Sequence, residues 1–194
     1  MRRYDCRSLR PCARANRLSP LIAAWTNLAS VGKVTALGWT VLSTVTRLRS
    51  RVRAARDLGL ELRYLEVPAL DAFERVIADA ARGQADALFQ FPNPTFFENR
   101  KRLVDLAARY RLPAMYNSRE FVAVGGLIGY GANPLILNRR TAFFIDKILK
   151  GAKPADLPVE QPTVFEFAIN RTAAKTLGIN IPPALLAAAD EIMD

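Results

Sequence analysis

ADALFQFPNPTFFENRKRLVDLAARYRLPAMYN, residues 85–117, contains one complete strand–helix–strand unit. The apolar run Ala85–Phe91 is typical of strands that are buried in a parallel sheet. Pro92-Asn93-Pro94 ends that strand, and the apolar spacing over Thr95–Arg111 predicts a helix. A second short apolar run, Pro113–Asn117, predicts the next strand. This order is the repeating unit of an α/β domain.

The same alternation extends outward from this unit in both directions. It predicts a largely parallel sheet with helices on both faces, in which ligands bind beyond the carboxyl ends of the strands. Two short helices are expected at the end of the chain, opening at Asn170 and at Pro182-Pro183. The other predicted strands and helices, in chain order, are Leu60–Val67, Leu70–Arg82, Leu127–Gly131, Pro134–Lys150 and Val164–Ile169.

Apolar residues on the inner sides of these elements are expected to form the core. They are Leu62, Leu65, Val76, Leu88, Leu103, Ala114, Ile128, Ile145 and Phe167. Local signals at helix ends agree with the pattern. Asn93 is suited to cap a helix with Pro94 at its first position, and Lys150-Gly151 is a typical helix end.

Charge divides the chain into two parts. Residues 1–56 hold 12 Lys and Arg against a single acid, Asp5, whereas residues 57–194 hold 16 against 17 acids. The net charge of +10 therefore arises in the first quarter of the chain. We divide the chain into a basic arm, residues 1–56, expected to be poorly ordered or partly helical, and an α/β lobe, residues 57–194. Met1–Ser19 is expected to pack poorly.

A membrane-spanning or secretory role for the arm is not favoured. Leu21–Val45 is uncharged apart from Lys33, but its many Thr, Ser and Asn residues dilute its hydrophobicity. A Lys near the middle of a spanning helix costs about 2.5–3.5 kcal/mol. No apolar segment followed by a small-residue cleavage motif is apparent, so the sequence shows no clear signal peptide.

The residue composition excludes several kinds of chemistry. The chain has no histidine, which removes Ser-His-Asp and Cys-His catalysis and the commonest zinc sites. Its two cysteines, Cys6 and Cys12, match no zinc or redox spacing. Carboxylates are plentiful, but no pair lies where the pattern would place a hydrolase site. We expect no enzyme activity, no cofactor and no metal.

Long stretches of the sequence resemble a known family. ADALFQFPNPTFFENRKRLVDLAARYRLPAMYNSREFVAVGGLIGYG and KGAKPADLPVEQP, residues 85–131 and 150–162, are similar to ABC-transporter substrate-binding proteins of the tryptophan/tyrosine-binding-like family. These are extracytoplasmic receptors with the type I periplasmic-binding-protein fold, in which two α/β lobes are joined by crossing strands. The resemblance spans about Ala54–Asp194 and corresponds to the C-terminal lobe. Before Ala54 only Thr26–Ala29 shows a weak similarity to the family. We therefore expect that most of the N-terminal lobe is missing, and that the chain is truncated or its start has been replaced by unrelated sequence.

The resemblance implies the solute-binding component of an ABC importer, periplasmic, with a small and amino acid-like solute and membrane permease subunits as partners. Nucleic acid is not expected as a partner. The rule for strand ends then gives six candidate ligand-binding residues. They are Phe91, Asn93, Asn117, Arg119, Glu120 and Tyr130.

Each candidate has a chemical role and a structural alternative. Phe91 and Tyr130 have rings that can stack on a flat ligand, Asn93 and Asn117 have amides that can hydrogen-bond it, and Arg119 can pair with a carboxylate. Structural alternatives are that Phe91 is core, that Asn93 only caps a helix, and that Arg119 and Glu120 pair with other charges.

One alternative function is the sensor lobe of a DNA-binding regulator, because the same fold serves such proteins and the arm is basic. It requires a helix-turn-helix before the lobe. Leu21–Thr46, rich in Thr, Ser and Gly, is a poor candidate for that motif.

Overall fold

A computed structural model describes residues 33–38, 55–57 and 59–194. Its strands and helices alternate along most of the chain. The strands are β1 (Lys33–Gly38), β2 (Glu61–Glu66), β3 (Ala87–Gln90), β4 (Ala114–Tyr116), β5 (Ile128–Ala132), β6 (Phe165–Asn170) and β7 (Glu191–Met193). The helices are α1 (Phe73–Arg82), α2 (Pro94–Glu98), α3 (Arg100–Arg109), α4 (Arg119–Val122), α5 (Pro134–Leu149), α6 (Arg171–Leu177) and α7 (Pro183–Ala188).

The strands form one sheet in the order β2-β1-β3-β4-β5-β6-β7. All neighbouring strands are parallel except β5 and β6, which are antiparallel. The carboxyl ends of β1 to β5 therefore lie at the same edge of the sheet. The predicted α/β fold with a largely parallel sheet is confirmed.

Two apolar clusters cover the two faces of the sheet, as alternation along the strands requires. Leu88 of β3 and Ala114 of β4 face one cluster, which α1, α3 and α4 complete. Ala87 and Met115, their chain neighbours, face the other cluster, to which α6 and α7 contribute. Helices thus lie on both faces.

The lobe begins earlier than the boundary at residue 57 that the charge pattern suggested. Residues Lys33–Gly38, inside the segment assigned to the arm, form β1 and pair with both β2 and β3. The strand was missed because it is short, carries Lys33 and ends in glycine. Its sequence does not differ from the weakly apolar residues around it. The predictions for Met1–Ser19 and for most of Leu21–Val45 lie outside the described residues.

Local signals placed several elements correctly. The Asn93 side chain caps α2 by accepting from the backbone N–H groups of Thr95 (2.8 Å) and Phe96 (3.4 Å). The single helix predicted over Thr95–Arg111 is in fact two, α2 and α3. The Asn99 side-chain amide donates to the Thr95 carbonyl at this junction (2.9 Å) and closes the first helix. The short edge strand β7 was not predicted.

The predicted core is confirmed in part. Six of the named residues are buried, and Leu62 and Leu65 are half-buried. The prediction for Ile145 is wrong, because its side chain is 52% exposed. It lies on α5, where no residue is buried. None of the helices in the described part of the chain has the length and apolar character that a membrane crossing requires.

The antiparallel strands β5 and β6 extend past the sheet edge. Only Ile128 and Gly129 of β5 pair with β4, whereas residues 130–132 pair with β6 alone. The Asn133 N–H continues this pairing by donating to the Val164 carbonyl (3.3 Å). We call residues 130–133 and 164–167 the ribbon. It leads out of the lobe, and α5 lies between its two strands in the sequence.

Candidate functional site

The candidate residues lie at the carboxyl edge of the sheet, on three adjacent segments. Phe91 and Asn93 follow β3, Asn117 follows β4, and Arg119 and Glu120 begin α4. Tyr130 lies on β5, where the ribbon begins. This edge is where ligands bind in open α/β sheets. The structure thus places all six at one end of the sheet, as the strand-end rule predicts.

The segment after β3 has structural contacts of its own. Phe91 is buried and packs edge-on against Phe89, with ring centroids 5.2 Å apart. It also contacts the tilted ring of Tyr64 at 6.2 Å. The Asn93 side-chain oxygen, Oδ1, caps α2. These observations match the structural alternatives for both residues, and they leave ligand contact a prediction.

The segment after β4, residues 117–120, contains three buried side-chain oxygens that have no hydrogen-bond partner in the described structure. They are Asn117 Oδ1, Ser118 Oγ and Glu120 Oε2. A buried polar atom without a partner costs about 1–3 kcal/mol, so such atoms are uncommon and cluster at functional sites. Ser118, which sequence reasoning did not select, therefore belongs with the candidates.

Arg119 is directed along the edge toward β7. Its guanidinium lies 3.1 Å from the Glu191 carboxylate, and both side chains remain well exposed. An exposed ion pair of this kind contributes little to stability, about 0–1 kcal/mol. Arg119 is therefore accessible to a competing carboxylate.

Tyr130 belongs to an aromatic group on the ribbon. Its ring stacks on Phe165, with centroids 5.6 Å apart and planes at 6°, and meets Phe167 edge-on at 6.2 Å. The ring is half-buried. Through these contacts the Tyr130 ring links the two strands of the ribbon, next to the segments that follow β3 and β4.

Glycines of β5 allow the segment after β4 to pack directly on the strand. A Cβ on Gly131 would lie 1.7 Å from the Asn117 carbonyl oxygen, and one on Gly129 would lie 2.5 Å from that of Ser118. No side chain fits at either position without a shift of backbone. The position of Asn117 and Ser118 is therefore fixed by contact with β5.

Gln90, the last residue of β3, is another residue that sequence reasoning missed. Its side chain is fully buried, its Nε2 donates to the Phe91 carbonyl, and its Oε1 accepts from the Asn117 N–H (3.3 Å). The signal was a second polar residue, besides Asp86, inside the otherwise apolar run Ala85–Phe91. A sequence does not show which groups such a residue contacts.

Tyr116, the last residue of β4, has a buried side chain. Burial, with a smaller effect of the Asp105 carboxylate, raises the pKa of the Tyr116 phenol, which therefore stays protonated. No group of three or more Cys, Asp or Glu residues in the described ranges is placed to hold a metal ion.

Two open surface depressions lie elsewhere on the lobe. One, of about 470 Å³, is lined by charged residues of α1 and α3, including Glu74 and Arg109. The other, of about 500 Å³, lies beside the end of β2 and includes Glu66 and Arg75. Neither includes a candidate residue. Both are shallow surfaces between exposed charged side chains and lack the apolar enclosure of a typical ligand pocket.

Comparison with known proteins places this geometry in a family. A family model described as ABC transporter substrate binding protein matches residues 26–193. The chain belongs to this family of ABC transporter substrate-binding proteins. The match begins well before Ala54, where the resemblance was first apparent, and so it includes β1. This is a family of solute-binding proteins and not of enzymes.

Two solved structures have a fold similar to that of this chain. The ABC domain from Streptococcus pneumoniae in complex with L-Trp is 26% identical, with a TM-score of 0.80, and the match covers 90% of this chain. A conserved domain protein from Vibrio cholerae is 19% identical, with a TM-score of 0.80, and has the same fold. The chain spans 60% of the length of each of these two proteins. None of the curated proteins compared with the chain matches it.

Proposed function

We propose that this substrate-binding protein chain forms one lobe of a two-lobe receptor that binds a small solute for an ABC importer. The observation that carries the proposal is α5, a 16-residue helix with no buried residue, positioned by the ribbon beyond the edge that holds the candidate site. A helix with exposed apolar residues in this position needs a second body to cover it, and that body would face the candidate residues.

The apolar side of α5 is well defined. Leu137, Phe144, Ile145 and Ile148 recur at helical spacing, and we call them the apolar stripe. Phe144 is half-buried, and the other three are exposed by 40–52%. Leu135 and Leu149 beside the stripe are exposed by 68% and 81%. An apolar surface of this kind marks an interaction site.

The other side of α5 is charged and already has a partner. Arg140 forms an ion pair with Glu160, which lies in the connector between α5 and β6, residues 150–164. Its guanidinium also lies over the Phe143 ring, 4.0 Å from the centroid. These contacts hold the connector to the helix. The Arg140 guanidinium also lies over the Phe144 ring of the apolar stripe, 5.1 Å from its centroid. The other three residues of the stripe stay exposed and are available to a second lobe.

An amino acid-like solute fits the candidate site best. The Streptococcus pneumoniae relative was solved with L-Trp, and here the site combines aromatic rings, amides and one charge of each sign. The Arg119 guanidinium would leave the exposed Glu191 carboxylate and pair with the carboxylate of the ligand. Glu120 would accept a hydrogen bond from the ammonium group of the ligand. Phe91 and Tyr130 would stack on a flat side chain, and Asn93 and Asn117 would hydrogen-bond the ligand.

The partners follow from this role. A receptor of this kind closes on its solute by hinge motion, and permease subunits in the membrane recognise the closed form. The site of action would be periplasmic or otherwise outside the cytoplasm. The alternative of a DNA-binding regulator depended on the basic arm, most of which lies outside the described residues, and no comparison favours it.

The proposal predicts weak binding by this chain and strong binding by a two-lobe form. Calorimetry with L-Trp should detect little or no binding to the chain as given, because a ligand held by one lobe stays hydrated and loses half of its contacts. Joining the chain to the N-terminal lobe of the Streptococcus pneumoniae relative, the restored receptor, should bring affinity back. Tight binding by the chain alone would refute the two-lobe proposal.

Substitutions in the restored receptor test the site. Asn117→Ala and Arg119→Ala should each weaken L-Trp binding by about 1–3 kcal/mol, because each leaves a buried ligand group without its partner. Lys101→Ala and Arg102→Ala, on the exposed side of α3, should change affinity little. A restored receptor that is indifferent to both strand-end substitutions would show that the cleft is assigned wrongly.

A further inference from the structure

Gln90 is a buried polar residue in an apolar strand. Its side chain is only 1% exposed, and in the described ranges it is one of three buried polar residues, with Thr35 and Ser118. Burying a primary amide is unfavourable unless its oxygen and its nitrogen both find hydrogen-bond partners. The partners of Gln90 therefore explain what the residue does.

Both ends of the Gln90 amide bind the backbone of segments that carry candidate ligand residues. Nε2 donates to the carbonyl of Phe91, which begins the segment after β3. Oε1 accepts from the N–H of Asn117, which begins the segment after β4 (3.3 Å). One side chain thus links the two segments.

Backbone pairing between these strands stops before the two segments begin. The register of β3 with β4 consists of Leu88 opposite Ala114 and Phe89 opposite Met115. Asn117 lies two residues beyond the last paired position of β4. The side chain of Gln90 continues the connection between the strands where their own pairing has ended.

The segment after β4 is held from its other side by β5. The Asn117 carbonyl packs directly on the backbone of Gly131, as the 1.7 Å approach of an added Cβ shows. Asn117 therefore has two fixed neighbours, the Gln90 amide through its N–H and Gly131 through its carbonyl. Its position relative to Phe91 depends on the first of these.

We propose that Gln90 is a positioning residue of the solute site, which sets the spacing between the segment bearing Phe91 and Asn93 and the segment bearing Asn117, Arg119 and Glu120. The proposal rests on the proposed function insofar as these segments bind solute. Gln90 itself is buried and would not contact the ligand.

Amide hydrogen exchange of the full chain without ligand, followed by NMR, tests the link directly. Gln90→Met keeps the volume and removes both hydrogen bonds, so exchange at the Asn117 N–H should accelerate about tenfold, the effect of losing about 1.4 kcal/mol of protection. Gln90→Glu, which burial should keep protonated, retains an oxygen that accepts from Asn117 and a hydroxyl that donates to Phe91, so it should restore most of the protection. Leu88→Val, in the same strand, is the control for a general loss of core packing.

Affinity for L-Trp in the restored receptor is the second readout. Gln90→Met should raise the Kd about tenfold, whereas Leu88→Val should leave it nearly unchanged. If Gln90→Met does not fold, Gln90→Asn, which is too short to reach Asn117, takes its place in both measurements.

The outcomes separate this inference from the proposed function. Unchanged Asn117 exchange in Gln90→Met, or exchange that matches Leu88→Val, overturns the link. Faster exchange with unchanged L-Trp affinity overturns the positioning role. If the unsubstituted restored receptor fails to bind L-Trp, the proposed ligand is wrong and the positioning role for it falls as well, while the exchange result still decides whether Gln90 joins the two segments.

Discussion

Gly131→Ala is expected to lower the free energy of unfolding of this chain by about 3 kcal/mol or more, since overpacking against fixed backbone is among the costliest single changes. The new methyl group would lie 1.7 Å from the Asn117 carbonyl oxygen, so either β5 or the segment after β4 must move. Urea unfolding followed by circular dichroism measures the loss.

Gly83→Ala is the matched control. A methyl group there comes within 2.7 Å of an Arg63 guanidinium nitrogen, which is the end of a flexible side chain and can turn away. It also lies 3.1 Å from the Asp79 carbonyl oxygen near the end of α1, a contact that a shift of a few tenths of an ångström relieves. Its effect should stay within about 1 kcal/mol, since φ at Gly83 is negative and alanine is compatible with it. Equal stability of the two variants would mean that Asn117 does not pack on β5 as described.

Ile145→Asp is expected to change the stability of this chain little and to destabilise the restored receptor strongly. In this chain alone the side chain is exposed, so the substitution should change the free energy of unfolding by no more than about 0.5 kcal/mol. In the restored receptor the second lobe covers the apolar stripe, and an unpaired carboxylate there should cost about 3 kcal/mol or more.

Denaturant unfolding of both proteins with and without Ile145→Asp measures this difference. Arg139→Asp, on the charged side of α5, is the control and should affect both proteins alike. If Ile145→Asp is equally harmless in the restored receptor, α5 does not face the second lobe and the two-lobe proposal loses its main support. A large loss in the chain alone would instead indicate that the stripe is covered by a second copy of the chain.

The fold was largely predictable because its signals are local. Helix caps such as Asn93 and the short apolar runs of β3 and β4 depend on residues that are neighbours in sequence. β1 escaped detection because its interior position in the sheet comes from pairing with β2 and β3, which its own composition does not reveal. The prediction that Ile145 is buried was wrong for a similar reason. Helical spacing shows that a helix has an apolar side, but it does not show whether the covering surface belongs to the same lobe.

The candidate site was predictable in position more than in detail. The strand-end rule brought Phe91, Asn117 and Tyr130 to one edge, since it depends only on parallel topology. It did not reveal that Gln90 joins two segments, that Arg119 meets Glu191, or that Ser118 is buried without a partner. Those contacts are set by distances between segments far apart in the chain. The packing of these segments determines the contacts, and no local sequence pattern shows how the segments pack.

The exposed stripe on α5 also bears on how this protein would survive inside a cell. Chaperones and quality-control proteases select chains by the apolar surface that they display, and uncovered α5 displays such a surface even when the rest of the lobe is folded. The half-life of the chain would then be governed by how soon the stripe becomes covered. Its abundance would follow the supply of the covering partner more closely than its own folding stability.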